Sequence, residues 1–314
     1  MSIDDYLNDH NVMLATIIVL SIIATILFIG LITPLVISAT GGGEVRLDAA
    51  YFNVRTAIPT LLLLILLGLC LMLRYFNGER LIAAIAVVIA ATLICIIVNP
   101  FKNFYLNASL PVLGFGLVGA AHKIYRAINP KSIKTTLRGV GPHLVHLGLI
   151  LILIGAVVST TCNVDGTREL QEGDSWNFQD YTIAVTELDE IQKRASFERI
   201  IYFDVYKDSK LIDQGQAKMV YDMNWGQWQS IVYTKRGVTE DLYVALKGVS
   251  PPTVSLYARV VPMINFIWGG LIVMASGIAI VTCTDYMMKP KIKDVKRKYE
   301  EKLQDELRRL REET

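Results

Sequence analysis

Five long apolar stretches come first in this chain, followed by a long polar region and one further apolar stretch. The apolar stretches occupy residues 13–37, 56–73, 81–98, 106–121, 139–161 and 260–283. Their length and composition are typical of helices that cross the hydrocarbon core of a bilayer. The fourth is the weakest candidate, because Asn107, Pro111 and three glycines interrupt it. The pattern predicts an α-helical integral membrane protein with about six transmembrane helices.

The polar region before the last stretch alternates apolar and polar residues, as half-buried β-strands do. In residues 199–206, for example, Ile201, Phe203 and Val205 fall on one face. Similar runs occupy residues 181–188, 216–221, 230–233, 242–246 and 254–260. Because open sheet edges must be hidden, the strands predict a small antiparallel sandwich or barrel. Its prominent aromatic residues are expected to be core residues or membrane-interface anchors: Trp176, Trp225, Trp228, Tyr233 and Tyr243.

These patterns predict five parts along the chain. An N-terminal segment (1–12) precedes a membrane domain with five transmembrane helices (13–161). An all-β domain (162–259) is inserted before the last transmembrane helix (260–283). A charged tail (284–314) follows, and we expect it to be a solvated helical extension.

Composition and charge agree with a membrane protein and give its orientation. The chain is 53% hydrophobic and only 19% charged, which is below the usual quarter. Lysine and arginine are concentrated in residues 122–138 and after Cys283, and such segments face the cytoplasm. The sequence therefore predicts a multi-pass protein of the cytoplasmic membrane, with both termini cytoplasmic and the β domain extracytoplasmic. The net charge of +2 gives no indication of nucleic-acid binding.

Two histidines in the fifth apolar stretch are the strongest candidates for chemistry. His143 and His146 lie three residues apart, and an imidazole within the membrane is costly unless a partner satisfies it. Neutral imidazole is a common axial ligand of haem iron, and Gly148 beside it would leave room for a flat macrocycle. His143 could be a spare ligand, a propionate partner or a proton carrier. Because no other apolar stretch holds a histidine, a second axial ligand would have to come from elsewhere.

Other chemistries remain open or are disfavoured. Both histidines could merely bond to neighbouring helices, which would leave a non-haem membrane scaffold with an external β domain. A quinol-linked, b-type electron-transfer subunit is a further alternative. A zinc hydrolase is disfavoured, because the His-Glu-x-x-His pattern is absent. The four cysteines are scattered singly, so no CxxC zinc or redox motif and no covalent haem motif is encoded. No catalytic residue is assigned.

Several segments, in the same order across nearly the whole chain, resemble the CcmF family, the integral-membrane haem-handling component of system I cytochrome c maturation. They are Ile32-Thr33-Pro34-Leu35-Val36, Ala50-Tyr51-Phe52-Asn53, Val145-His146-Leu147-Gly148 through Ile154-Gly155-Ala156 and Ser159, Glu172-Gly173-Asp174-Ser175, Gly237-Val238-Thr239-Glu240-Asp241-Leu242-Tyr243-Val244-Ala245-Leu246, and Ile267-Trp268-Gly269-Gly270 with Met274 and Gly277. The resemblance covers only the C-terminal half of a full-length family member, as in split versions of the family.

The resemblance implies a subunit of a haem lyase (cytochrome c synthase) that itself lacks the attachment site. His146 corresponds by position to a transmembrane ligand of haem b, whereas His143 has no counterpart. The implied haem b would reduce the haem being attached to the CxxCH motif of an apocytochrome c. The implied partners are the N-terminal CcmF half with its WWD segment, a CcmE-like haem chaperone, a CcmH-like apocytochrome-presenting protein, apocytochrome c and the lipid bilayer.

Overall fold

The structure is a computed structural model, and it describes residues 8–42, 47–73, 78–128, 132–250 and 252–288. Within these ranges the chain forms six long helices and nine strands. The predicted N-terminal segment is described from Asn8 onwards. The predicted charged tail is described only as far as Met288, so its expected helical character beyond that residue lies outside the described residues.

Six helices have the length and composition needed to cross a membrane, which confirms the predicted number. They are α1 (Asp9–Ala39), α2 (Ala49–Met72), α3 (Gly78–Val98), α4 (Phe104–Ala127), α5 (Ile133–Thr161) and α6 (Ile264–Met288). Four of them begin at a side chain that accepts a backbone N–H of the first turn. These capping residues are Asn8, Asp48, Asn103 and Ser132. The cap at Ser132 starts α5 before residue 139, where its apolar stretch begins.

Helix α4, the weakest predicted span, lies at the centre of the membrane domain. It packs against α2, α3 and α5, so much of its surface faces protein instead of lipid. Such a helix can carry small and polar residues that lipid would not tolerate. The Asn107 amide is buried and donates to the Asn99 side-chain oxygen at 2.6 Å. A Cβ at Gly119 would lie 3.2 Å from the Leu71 Cβ, so this glycine marks a close helix contact.

Helices α5 and α6 approach each other through glycines on both sides. Gly141, Gly148 and Gly155 recur every seventh residue on α5, and Gly270 and Gly277 have the same spacing on α6. A Cβ at Gly148 would lie 2.5 Å from the Gly270 carbonyl oxygen, and one at Gly277 would lie 2.8 Å from the Gly141 carbonyl oxygen. No real Cβ sits so close to a backbone atom, so the two helices meet backbone to backbone.

The region between α5 and α6 is a β-sandwich, as predicted. Its strands are β1 (Val164–Gln171), β2 (Ser175–Phe178), β3 (Tyr181–Gln192), β4 (Ser196–Lys207), β5 (Lys210–Asp222), β6 (Gln227–Ile231), β7 (Tyr233–Arg236), β8 (Glu240–Ser250) and β9 (Thr253–Pro262). One antiparallel sheet has the order β1-β9-β8-β7 and the other has the order β2-β3-β4-β5-β6. Ile201, Phe203 and Val205 are fully buried between the sheets, on the face that the alternation predicted.

Two predicted boundaries differ from the structure. Residues 230–233, predicted as one strand, are divided between β6 and β7, which belong to different sheets. Position 260, the predicted start of the last helix, lies in β9, which pairs with β8 up to Pro262. Helix α6 begins at Ile264. The reason is that the end of β9 is apolar, as the following helix is, so hydropathy alone does not show where the strand ends and the helix begins.

The β domain is fixed to the start of α6 by hydrogen bonds. The Asn265 side-chain amide donates to the carbonyl oxygens of Gly237 and Val238 in the β7–β8 turn. The Met263 backbone N–H donates to the Thr239 carbonyl oxygen at 2.7 Å. Because consecutive transmembrane helices cross in opposite directions, the β domain lies on the side of the α1–α2 and α3–α4 connections. Which side faces the cytoplasm stays a prediction from the charge pattern.

Candidate functional site

His146 lies on α5 and its ring has a defined hydrogen bond. Its Nδ1 is 2.8 Å from the Pro142 carbonyl oxygen, one helical turn earlier. A carbonyl oxygen can only accept, so this bond requires the proton on Nδ1 and leaves the lone pair on Nε2. Histidines that bind metals usually have this arrangement, in which the second ring nitrogen donates to a carbonyl or a carboxylate. The local helix geometry therefore prepares Nε2 as a ligand.

The side of α5 that carries His146 is only partly covered. Pro142 and Leu149, four residues before and three residues after His146, are both exposed. The described helices that pack on α5 are α4 and α6, and they leave this side open. His146 lies roughly 10 Å along the helix from Gly139, where the apolar stretch begins. The imidazole thus lies within the apolar stretch that is predicted to cross the membrane, next to a surface that another molecule could cover.

His143 has a different environment from His146. Its Nδ1 is buried and has no hydrogen-bond partner among the described residues. The titratable groups near it are Lys123 and His146. A buried ring nitrogen without a partner is costly and marks a position where a ligand or water would be bound. The structure thus brings both predicted histidines into one neighbourhood, and it adds a lysine to them.

Lys123 is a site residue that the sequence pattern alone did not single out. It is only 8% exposed, and its Nζ donates to the Cys70 carbonyl oxygen at 3.2 Å. Cys70 lies in the last turn of α2, where carbonyl groups lack helical partners and favour a cation. Lys123 follows Gly116, Gly119 and Ala120 by seven, four and three residues, which places it on the same buried face of α4. This helical spacing is the sequence signal from which its burial could have been predicted.

Gly148 lies on the α6 side of α5. Its space is taken by the Gly270 carbonyl oxygen and by the backbone nitrogen and Cβ of Met274, all within 2.7 Å of where its Cβ would be. Gly148 has no side chain, and α6 fills the space that a side chain would occupy there. Among the described residues, no group of three or more histidine, cysteine, aspartate or glutamate side chains could hold a metal ion. Any ligation by the histidines of α5 would therefore be through single imidazoles.

Charged clusters in the β domain hold its two sheets together at the end near α6. Glu240 on β8 accepts from the Tyr181 hydroxyl at 3.0 Å and from Lys207 Nζ at 2.7 Å. The hydrogen bond to Glu240 raises the pKa of Lys207. Asp213 on β5 accepts from the Tyr233 hydroxyl at 2.8 Å. This bond, followed by that of a neighbouring lysine, lowers the pKa of the Asp213 carboxyl. These side chains bridge strands and form no catalytic constellation.

The fold defines a class of multi-pass membrane proteins in which a β-sandwich is inserted before the last of six helices. No protein-family model matches the chain. It is 23% identical over 282 residues to the cytochrome c-type biogenesis protein CcmF of Escherichia coli (strain K12), covering 85% of this chain and 42% of that protein. A solved structure of cytochrome c haem lyase CcmF matches with a TM-score of 0.69 at 16% identity, covering 91% of this chain and 46% of that chain.

Both matches are to CcmF, and the chain spans less than half the length of either relative. The resemblance to the C-terminal half of CcmF, which the sequence motifs predicted, is confirmed. The shared fold also confirms the predicted architecture of membrane helices with an inserted β domain.

Proposed function

We propose that this chain is a subunit of a membrane haem lyase for cytochrome c maturation, and that His146 is one axial ligand of a haem b. The observation that carries the proposal is the bond from His146 Nδ1 to Pro142, which leaves Nε2 free on the open side of α5. The similarity to CcmF supports the same assignment.

The residues present fit one half of a haem site. A neutral imidazole supplies one axial position. Besides the two histidines on α5, the described spans carry His10 at the start of α1 and His122 near the end of α4, and neither lies in the middle of a span. The opposite ligand would come from outside this chain. When bound, haem b supplies a one-electron carrier within the membrane, which would keep the haem being attached in its reduced form. His146 would hold the iron, the Pro142 carbonyl would orient the ring, and the glycine contacts with α6 would fix the position of α5.

His143 and Lys123 would act beside this ligand. His143 Nδ1 has no partner within the described residues, and the buried ammonium of Lys123, which donates to the Cys70 carbonyl oxygen, adds a positive charge beside it. Together they favour contact with an anionic group. Of the three roles predicted for His143, a propionate partner fits this pair best. Each group can stabilise a carboxylate. In a low-dielectric site the two together stabilise it better than either one alone.

The remaining machinery would lie outside this chain. We expect a WWD-containing segment to bind the incoming haem, a CcmE-like chaperone to deliver it, and a CcmH-like protein to present apocytochrome c. The chain would lie in the cytoplasmic membrane with both termini in the cytoplasm. The β domain would be extracytoplasmic, on the side where haem is attached, and would contribute docking surface instead of catalytic groups.

A difference spectrum tests the ligand assignment. The chain is purified together with its WWD-containing partner, and the reduced-minus-oxidised spectrum is compared with that of His146→Ala. We expect the b-type signal to be lost in this variant and to be retained in His122→Ala, a control at the end of α4. An undiminished b-type signal in His146→Ala would remove His146 as the ligand.

A deletion separates the alternative functions. Loss of the chain is expected to abolish mature c-type cytochromes. If these cytochromes persist while quinol oxidation fails, the chain is a quinol-linked electron-transfer subunit. If the intact complex contains no haem, the chain is a membrane scaffold.

A further inference from the structure

Strand β6 ends the five-stranded sheet with an open edge. All five of its residues, from Gln227 to Ile231, are exposed, and none of them is charged or a proline. Apart from pairing with β5, they form no further backbone–backbone hydrogen bonds within the described part of the chain. Proteins normally protect an edge strand with charges, proline or a cover, because its free N–H and C=O groups pair readily with another strand. The edge carries no charge or proline, and among the described residues β8 approaches it at Ser230, whose Oγ donates to the Leu246 carbonyl oxygen at 3.5 Å.

An aromatic shelf lies next to this edge, and we define it as Phe197, Tyr221 and Trp228. The three residues are in register across β4, β5 and β6. The Trp228 ring centroid is 5.3 Å from that of Tyr221 and 6.1 Å from that of Phe197, and Trp228 is 43% exposed. The Arg199 guanidinium lies 5.5 Å from the Trp228 centroid and is on the same face of the sheet as the three rings. The shelf therefore offers a preformed apolar platform.

The shelf lies at the end of the sandwich far from α6. Strand β9 leads into α6 at Pro262 and starts at Thr253, at the other end of the sandwich. The shelf is at that far end, because Arg199 reaches the Val249 carbonyl oxygen close to the β8–β9 connection. Ten residues of strand place it roughly 30 Å from the start of α6. Trp228, expected to be a core residue or a membrane-interface anchor, is therefore 43% exposed at the end of the sandwich far from α6.

Charge indicates what kind of molecule fits. Lys218 on β5 pairs with Ile231 on β6, so both side chains point to the same face of the sheet. No ion pair of Lys218 is found in the ranges that the structure describes. Its long side chain can lie across Ile231 towards the open edge. A strand added to β6 would place one side chain beside Trp228 and another, three residues away on the opposite face, beside Ile231.

We propose that the β6 edge and the aromatic shelf bind an extended segment of a partner protein by strand addition. The segment has an apolar or aromatic side chain that packs on Trp228 and, three residues away, a carboxylate that pairs with Lys218. Backbone hydrogen bonds along β6 hold the segment, and the two side chains define its register. This inference does not depend on haem binding.

The test uses two fluorescein-labelled strand peptides, one for each chain direction. Their sequences are Thr-Glu-Val-Thr-Phe-Thr-Val-Thr and Thr-Val-Thr-Phe-Thr-Val-Glu-Thr. Fluorescence anisotropy with the full chain in detergent is expected to show saturable binding of one of them. Peptides N-methylated along one backbone edge should not bind, because strand addition needs those N–H groups. Binding by neither parent peptide would overturn the proposal.

A charge swap makes the test specific. Lys218→Glu is expected to weaken binding of the Glu-containing peptide about tenfold, since attraction becomes repulsion. The same variant should gain binding of a peptide with Lys in place of Glu. Lys210→Glu, at the opposite end of β5, is the matched control and should leave both affinities unchanged. Equal affinities in Lys218→Glu and the native chain would contradict the assigned register.

A last measurement separates a partner segment from a second copy of the chain. The molar mass of the full chain in detergent is determined with and without Trp228→Ala. A monomer in both cases, together with loss of peptide binding in Trp228→Ala and its recovery in Trp228→Phe, supports the proposal. A dimer that Trp228→Ala dissociates would show that the edge pairs with another copy, and it would overturn the proposal.

Discussion

Replacing Gly270 by alanine is expected to separate helices α5 and α6. A Cβ at this position would lie 2.6 Å from the Gly148 carbonyl oxygen and 2.8 Å from the Ile152 backbone nitrogen. Ordinary van der Waals contact begins at 3.4 Å, so the helices must move apart by 0.8 Å, which is 3.4 minus 2.6. Both contacted atoms belong to the backbone and cannot rotate away as a side chain would. The strain therefore falls on the whole helix pair.

The cost of this change follows from how membrane helices associate. Lipid is as apolar as the side chains, so close packing and not the hydrophobic effect holds α5 against α6. Overpacking a well-packed contact typically costs about 1–3 kcal/mol. We expect the free energy of unfolding of Gly270→Ala to fall by this amount. The assay is an SDS titration of the purified chain in bicelles, followed by circular dichroism.

The adjacent glycine provides a matched control. A Cβ at Gly269 meets no atom within 4 Å, although it lies in the same helix turn as Gly270. Gly269→Ala should leave the unfolding midpoint unchanged or raise it slightly, because alanine favours helix over glycine. If both variants unfold at the same SDS fraction, the glycine contact does not hold the two helices together and the argument fails.

Three further predictions concern single side chains. Asn265→Ala removes the donor to the Gly237 carbonyl oxygen, so limited proteolysis should cut the β7–β8 turn faster. An unchanged rate of cleavage would show that this hydrogen bond does not hold the turn in place. Tyr233→Phe should raise the lowered pKa of Asp213 towards its usual value. The hydrogen bond from Tyr233 to the Asp213 carboxylate stabilises the fold above the unfolded-state pKa of Asp213, and this stabilisation is lost as the pH falls through the folded-state pKa. The thermal unfolding temperatures of Tyr233→Phe and the native chain should therefore differ at neutral pH and converge in acid. Lys123→Glu should destabilise the membrane domain by about 3–5 kcal/mol in thermal unfolding, whereas Lys123→Arg should be tolerated better.

The architecture could be predicted because its signals are local. Apolar length identified the six spans, and alternation placed Ile201, Phe203 and Val205 on the buried face of a sandwich strand. Alternation missed β1 and β2. Strand β2 does alternate, but only over four residues. Strand β1 is exposed over most of its length, so its residues carry little apolar signal. The end of β9 was misplaced because an apolar strand runs directly into an apolar helix.

The candidate site could be predicted only in part. His146 is a rare residue in an apolar stretch, and its bond to Pro142 spans one helical turn, so both are visible in the sequence. Lys123 was missed because its partner, the Cys70 carbonyl, is 53 residues away and belongs to a different helix. Gly148 was assigned to the ligand because it lies close to His146 in sequence. The seven-residue spacing of Gly141, Gly148 and Gly155 indicates the packing of α5 on α6, and a place of Gly148 beside a ligand stays a prediction.

The ligand helix and the β domain form one continuous antiparallel hairpin. Strand β1 follows α5 within three residues, and β9 leads into α6 within two. The strands pair from Val164 and Val260 near the membrane to Gln171 and Thr253 at the far end. Below them, the glycine contacts continue the same pairing between α5 and α6. Because backbone contacts join both the strands and the helices of this hairpin, the position of His146 along α5 and the distance of the sandwich from it are set together.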